Sequence, residues 1–465
     1  MIKMKFPDDF VNKVICGDTL DILQKMPSEC VDCIITSPPY WGLRDYGEST
    51  CKVWDGNPNC EHEFDIVKIK NPMDRGGKGQ HDIGGIVGKM GKTFGTNTKI
   101  KSGFCKKCGA WYGQLGLEPT LDLYLKHLLQ ITLELKRVLK KTGVMFWNHG
   151  DCYGGSLQGW GAKHPSKTGF QKPAGIDERY VKGKPPNANI TPKCMALQNY
   201  RLILRMIDEQ GWILRNIIIW YKPVHMPSSV KDRFTNAYEP VFMLTKSKKY
   251  WFDLDAVRVP HKESSIERVK YEINKFGGNI AQPMAKLAKG KKGGSEQVKV
   301  ELNPLGKNPG DVWEIPIQPF PEAHFAVYPE KLVEPMIKAG CPQWICKKCG
   351  KARVRISRPI GKRKGLLPPS KKDLKYNPRK LSPTSSFLTG EYNIYATFGW
   401  TDCGCNAGWE PGIVLDPFAG SGTTCLVAKK LARDYIGIEI NPKYVEMAKK
   451  RINKVPKRLD KFIND

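Results

Sequence analysis

A chain of 465 residues is long enough for one large core and one or two smaller modules. Its formal charge of +29 suits a polyanionic partner, and no uninterrupted apolar run approaches the roughly 18 residues of a membrane-spanning helix. The first residues carry no apolar signal core, and the fifteen cysteines, several in Cys-x-x-Cys or Cys-x-Cys pairs, point to metal in a reducing, cytoplasmic compartment, not to a disulfide scaffold.

In chain order, residues 14–16 form a short apolar run that delivers Gly17-Asp18, and Leu20, Leu23 and Met26 then recur in a helical pattern. Asp18 is placed to cap that helix. Residues 31–35 have the length and β-branched content of a buried strand. They run into Thr36-Ser37-Pro38-Pro39-Tyr40, where two prolines cannot continue a ladder, so the chain must leave the sheet. In an open α/β fold such a loop lies at the carboxyl edge of the sheet, where ligands bind. Prolines lack an N–H and lock φ, which leaves the local carbonyls free in fixed directions; Ser37 adds an acceptor oxygen and Tyr40 a flat ring. That set suits a planar heterocycle bearing an amino group. Taken alone, the five residues fit a Pro-Pro turn closing a strand equally well. Residues 41–47 are aromatic enough to continue the rim of the same site.

Residues 48–115 do not read as core: glycines at 76, 77, 84, 85, 88, 91 and 95 alternate with lysines and leave little to bury. Cys60 and His62 on one side, and Cys105 and Cys108 on the other, make the two close ligand pairs of a zinc ribbon, with Cys51 an alternative to His62. A helix is expected over residues 120–141, where Leu121, Leu125, Leu128, Leu135 and Leu139 make one stripe and Gly143 is the stop. A strand over 144–148 follows, then a polar stretch to 192, a helix over 196–210 ending at Gly211, and a strand over 212–220 apolar enough to be buried on both faces. After a loop at 222–230 comes one more strand, 241–244. Periodicity then fades across 260–310, where the lysines at 286–292 read as a solvated linker. Cys346, Cys349, Cys403 and Cys405 form a second metal pattern around a basic stretch, with Cys341 spare; such a finger would place positive charge on phosphates.

The segment Asp416-Pro417-Phe418-Ala419-Gly420-Ser421-Gly422-Thr423 reads as the end of a strand, a glycine loop and the start of a helix. The next strand, 435–440, carries Glu439 about 20 residues beyond the glycines, as expected of an acid that takes ribose hydroxyls. Asn441-Pro442 caps the helix after it. Cys425 stands where a dinucleotide fingerprint would have its third glycine, and no Gly-Lys-Ser/Thr follows. The stretch is therefore a nucleoside half-site.

The Ser-Pro-Pro-Tyr loop early and the Asp-Pro-Phe-x-Gly-Ser-Gly-Thr loop late together resemble the β-class, permuted SAM-dependent DNA methyltransferases that modify exocyclic amino groups. The resemblance covers most of the chain. It implies an α/β, Rossmann-like methyltransferase fold in circularly permuted motif order, with zinc-ribbon-like insertions and a target-recognition region. The corresponding divisions are 1–47 (start of the catalytic half), 48–115 (first ribbon-like insertion), 116–259 (catalytic half), 260–310 (target recognition), 311–340 (core element before the cofactor half), 341–410 (second, basic ribbon-like insertion) and 411–465 (SAM-binding half). By the same resemblance Ser37, Pro38, Pro39 and Tyr40 are catalytic. SAM is expected at Asp18, Thr36, Asp416, Pro417, Phe418, Gly420, Gly422, Thr423, Glu439 and Asn441, with Asp18 near the adenine.

The expected partner is double-stranded DNA with its target base flipped out, in a bacterial, archaeal or phage-infected cell. A cognate restriction endonuclease acting on the same site, outside any complex, is a further partner the resemblance admits. Within the family it resembles, serine at the first motif position goes more often with cytosine N4, so the resemblance favours that target, with adenine N6 the alternative. Methylation at cytosine carbon-5 would need a Pro-Cys pair, and the chain has none. The reading from a different class is a catalytically inactive zinc-ribbon DNA-binding protein. Two zinc ions, one at Cys60, His62, Cys105 and Cys108 and one at the four later cysteines, would be structural because each tetrahedron is filled.

Overall fold

The computed structural model describes residues 4–42, 46–64, 66–69, 98–101, 103–154, 190–191, 193–225, 228, 230–268, 273–274, 297–298, 302–303, 305–318, 327–366 and 389–456. The glycines at 76–95, the lysines at 286–292, the basic residues 371–380 and most of the polar stretch before 192 lie outside them.

The central sheet has eight strands: β1 (Lys13–Cys16), β2 (Val31–Thr36), β3 (Leu139–Asn148), β4 (Ile213–Tyr221), β5 (Tyr238–Thr245), β6 (Val312–Glu314), β7 (Ile413–Asp416) and β8 (Asp434–Glu439). Their order across the sheet is β1-β8-β7-β2-β3-β5-β4-β6. Every neighbouring pair is parallel except the two that β5 makes. From β2 the chain crosses to β3 on one side, and from β7 it crosses to β8 on the other. The carboxyl ends of β2 and β7 thus flank a topological switch point, where open α/β sheets hold their ligands. Val414 is in register with Cys33 and Leu415 with Ile34, so both loops leave the sheet at the same level.

Helices cover both faces. α1 (Thr19–Leu23), α2 (Leu121–Val138) and α3 (Gln198–Gln210) share one apolar cluster with Ile34 and Met145. α4 (Glu330–Gly340), α5 (Thr423–Lys430) and α6 (Pro442–Asn453) share the other with Cys33, Ile35 and Val144. The two-residue period of a strand does this: alternate side chains of β2 feed opposite clusters, which is why its whole sequence is apolar or fully bonded. Caps mark the helix ends. Thr120 accepts from Leu123 N at 3.2 Å, Asn441 accepts from Lys443 N at 3.0 Å ahead of Pro442, and Gly211 closes α3 at φ 64°.

Two expectations change. α2 ends at Val138, and Leu139 already has extended backbone as the first residue of β3. Gly143 lies inside that strand, where a Cβ would come within 2.8 Å of Asp32 O; the glycine permits close strand approach and stops no helix. β4 is not buried on both faces, since Arg215 and Asn216 are exposed. Only the three-residue β6 lies outside it.

The central sheet belongs to a compact unit made of Met1–Trp251, Asp311–Cys341 and Gly412–Asp465. Within it Cys51–Trp54, Gly103–Phe104 and Trp111–Gln114 form a small antiparallel sheet. A second unit, Phe252–Gly310 with Pro342–Pro411, contains the hairpin of Arg355–Leu366 and Thr389–Trp400. No helix among the described residues is long and apolar enough to cross a membrane.

Candidate active site

At the end of β2 the chain turns through Ser37 to Tyr40, and the side chains form a directed network. Ser37 Oγ lies 3.1 Å from Tyr40 OH, which donates to Glu239 Oε2 at 3.1 Å. Asn148 Nδ2 donates to the same oxygen at 3.1 Å, and Lys222 Nζ bonds Glu239 Oε1. Burial pushes the Tyr40 phenol well above its ordinary range, with the Glu239 charge acting the same way, so the ring stays protonated. The back of the loop is fixed as well. Tyr124 OH donates to Pro39 O at 2.8 Å, so that carbonyl is engaged, contrary to the expectation that the local carbonyls are all free. Tyr124 OH lies 3.1 Å from His149 Nε2, and Trp147 Nε1 donates to His149 Nδ1 at 3.3 Å. Burial lowers His149 to about 3, which keeps the imidazole neutral. With Nδ1 accepting, its one proton sits on Nε2 and faces Tyr124. Gly150 makes room for the motif ring, since a Cβ there would come within 2.7 Å of Tyr40 Cε2.

The glycine loop sits beside this network at the end of β7. Thr36 Oγ1 donates to Asp416 Oδ1 at 2.7 Å, a direct bond between the two motif strands. Asp416 is 0% exposed, and it also accepts from Phe418 N at 3.1 Å and, on Oδ2, from Tyr328 OH at 2.9 Å. Tyr328 is bonded in turn to Thr424 Oγ1. Burial raises the Asp416 pKa while these donors oppose the shift. Asp416 therefore acts as an internal hub that shapes the loop. Gly420 and Gly422 adopt φ 51° and 76°, and a Cβ on Gly422 would fall 2.7 Å from Ala448 Cβ.

Glu439 closes the half-site. Its Oε2 accepts from Gly420 N at 2.9 Å and its Oε1 from Asn441 N at 2.8 Å, while burial lifts its pKa to about 7. Thr19 Oγ1 donates to Pro417 O at 2.6 Å. Asp18 caps α1 through Asp21 N at 3.1 Å and pairs with Lys52 Nζ at 2.6 Å. The Thr423 hydroxyl lies 3.1 Å from Arg451 Nη1, on the side of α6. The ring of Phe418 meets that of Trp147 edge-on at 6.5 Å.

The family model for N6/N4 DNA methylases matches residues 31–343 and 409–450. The chain belongs to this family of DNA methylases. It is 25% identical over 441 residues to the type II methyltransferase M.SmaI of Serratia marcescens, spanning 95% of this chain and 90% of that protein. It is 28% identical over 436 residues to M.Cfr9I of Citrobacter freundii, spanning 94% and 86%. Among solved structures, the PvuII DNA methyltransferase (cytosine-N4-specific) aligns with 96% of this chain and 91% of its own at 15% identity and a TM-score of 0.43. The methylase's sheet carries the Ser-Pro-Pro-Tyr strand early in the chain and the glycine-loop strand late. That is the Rossmann-like methyltransferase fold in permuted, β-class order.

Outside these motifs the methylase gathers two ligand clusters. The ligand atoms of Cys60, His62, Cys105 and Cys108 all lie within 4.8 Å of one another, and so do those of Cys346, Cys349, Cys403 and Cys405. Cys51 instead pairs with Gln114 in the small sheet, and Cys341 is 0% exposed with its carbonyl held by Arg433 Nη2 at 3.1 Å. One thiol in each cluster is drawn toward thiolate. Backbone donation, led by Cys349, brings Cys346 down to about 6; Cys105 falls to about 5 against desolvation, through backbone donation from Cys108 and the His62 ring.

Several site-supporting residues carried no sequence signal. Glu239 and Asn148 are reached only by long-range bonds, whereas Lys222 opens the loop expected at 222–230 and Tyr328 falls in the core element expected over 311–340. Trp54 and Trp111 stack on either side of His127, with ring centroids at 4.4 and 5.5 Å, and His127 Nδ1 lies 2.9 Å from the buried Glu118 Oε1. Glu118 O accepts from Trp41 Nε1 at 2.9 Å and its Oε2 from Gly116 N at 2.8 Å. Trp41 is 3% exposed, so it anchors the loop from beneath and forms no rim.

Proposed function

We propose that this methylase transfers a methyl group from SAM to the exocyclic N4 amine of a cytosine in a defined sequence of double-stranded DNA. The observation that carries the reading is the Ser37 hydroxyl at the end of β2, one strand from the glycine loop and tied to it by the bond between Thr36 and Asp416. The donor set of the loop suits SAM: Glu439 keeps lone pairs for ribose hydroxyls beyond its two backbone bonds, and Phe418, Gly420, Asn441 and Asp18 line the same edge. Bound there, SAM would supply a methyl carbon already activated by a sulfonium.

What remains for the protein is largely positioning. An aromatic amine shares its lone pair with its ring and is a poor nucleophile. Ser37 Oγ and the Pro38 carbonyl would accept the two amine hydrogens and draw the nitrogen toward tetrahedral geometry, with Tyr40 packing on the base. The base must leave the helix to reach them, and the +29 charge supports the duplex contacts that hold the rest of the DNA. Serine at the head of the motif supports cytosine; adenine N6 presents the same amine chemistry and is the alternative. The two four-ligand clusters support two structural zinc ions.

Expression in a methylation-free host, followed by sequencing of host DNA for modified bases, tests the reading. N4-methylcytosine at one recurring sequence is expected. N6-methyladenine would transfer the assignment to adenine, and unmodified DNA from a host holding folded protein would overturn it.

A further inference from the structure

Tyr40 has one proton, and it goes to Glu239 Oε2. The phenol oxygen must therefore accept from Ser37, and the serine's own proton points away from any substrate. A chain of hydroxyls ending on a carboxylate has only one direction. Lys222 holds that carboxylate from the far side on Oε1; its ammonium sits 4.2 Å over the Trp220 ring, and its side chain is 17% exposed beside the 24% of Glu239.

We propose that Glu239 is a positioning residue that sets the direction of this chain and so makes Ser37 an obligate acceptor for the target amine. The inference rests on the reading that Ser37 handles that amine. A serine free to rotate would spend part of its time offering a proton to a nitrogen that must lose one. The fixed chain removes that state.

As the amine lone pair forms the new N–C bond, the S–C pair stays on sulfur, and the nitrogen becomes cationic. One N–H bond then breaks, leaving its electron pair on nitrogen. That proton, strongly acidic once the nitrogen is alkylated, passes to solvent; Glu239 orients the chain and is not its acceptor.

The arrangement predicts an unusual rescue. In Glu239→Gln the side chain has one oxygen for two sets of donors. Lys222 is always a donor, whereas the Asn148 amide can turn over, since its Oδ1 has no partner among the described residues. The glutamine oxygen then faces Lys222, its NH2 faces Tyr40, and the chain reverses so that Ser37 donates. Adding Lys222→Met removes the constraint and lets the glutamine oxygen face Tyr40 again.

Single-turnover kinetics on a methylatable duplex, with SAM and DNA affinities measured separately, give the test. Glu239→Gln should lose roughly 10- to 1000-fold in turnover with both affinities within about threefold of wild type, and Lys222→Met/Glu239→Gln should regain most of the loss. Tyr40→Phe, which breaks the chain in the middle, should fall by a similar factor and serves if the glutamine variant does not fold. Wild-type turnover in Glu239→Gln or in Tyr40→Phe, or a double variant as slow as the single, overturns the inference. A wild-type enzyme that leaves DNA unmodified would remove the underlying function instead, so the two failures are distinct.

Discussion

With the SAM ribose on Glu439 as proposed, the raised pKa of that carboxyl makes SAM affinity pH-dependent in a stated direction. Burial lifts the carboxyl from 4.5 to about 7, so near neutrality the empty site is a mixture of acid and carboxylate. Ribose hydroxyls donate to the carboxylate, so binding favours the ionised form and must release a proton from whatever fraction is protonated. For a single site the protonated fraction weakens affinity by a factor of one plus ten to the power of pKa minus pH. That is about 11 at pH 6 and about 1.1 at pH 8, a tenfold gain equal to about 1.4 kcal/mol. The same shift acts on the empty protein with the opposite sense: the stability contributed by a raised carboxyl is fully present below its unfolded pKa of 4.5 and is lost as pH rises through about 7. Calorimetric titration of SAM at pH 6, 7 and 8 in buffers of different ionisation enthalpy reads both the affinity and the proton released. Glu439→Gln should bind more weakly than the wild type at pH 8 and show no such pH dependence. An affinity flat from pH 6 to 8, or a slope that survives in Glu439→Gln, would refute the assignment of Glu439 to the ribose.

Ser37→Ala should lose roughly 10- to 1000-fold in turnover with SAM affinity retained, because its acceptor acts where the amine pyramidalises; wild-type single-turnover rates would remove it from the site. Gly422→Ala should lower stability by about 1–3 kcal/mol, since it combines φ 76° with a Cβ 2.7 Å from Ala448 Cβ, and an unchanged thermal midpoint would contradict that packing. Metal analysis of protein purified without chelator should find two zinc ions per chain, and less than one would sink the two-cluster reading. Cys108→Ser should weaken DNA binding and slow turnover while calorimetry still detects SAM, whose proposed site lies around Gly420 and Glu439; loss of SAM binding would show that the first cluster supports the whole core.

What the sequence disclosed follows from how far each signal reaches. Pro38-Pro39 after an apolar run, the glycine loop with an acid about 20 residues on, and ligand pairs two or three residues apart are local backbone constraints, legible without a partner. Burial of β2 could be foreseen from its β-branched, mostly apolar run, although Asp32 and Thr36 within it need partners. The residues that complete the site have no such spacing. Tyr40 meets Glu239 across 199 positions and Tyr328 meets Asp416 across 88, so neither pairing leaves a periodic trace. Gly143 misled for the converse reason: a glycine after a helical stripe is a common stop, but here the neighbouring strand's Asp32 O needed the space.

The first insertion shows where local reading fails most. Its glycine-rich interior did not read as core, yet its boundaries are built into the loop of Ser37 to Tyr40. Tyr46 N donates to Gln114 Oε1 at 2.8 Å and Gly42 N to Gly116 O, the latter at 2.7 Å. A Cβ on Gly116 would sit 3.1 Å from Tyr40 O and 3.3 Å from Pro39 Cβ, so the chain leaving the insertion packs directly behind the motif. Lys52, inside the insertion, reaches Asp18 at the cofactor edge, and Trp54 and Trp111 enclose His127 in the main core. An element attached this way cannot loosen without moving Pro39 and Tyr40. Zinc at Cys60, His62, Cys105 and Cys108 would therefore be felt at the reacting end of the molecule as well as at the DNA, although every ligand position around it is filled and it takes no part in the chemistry.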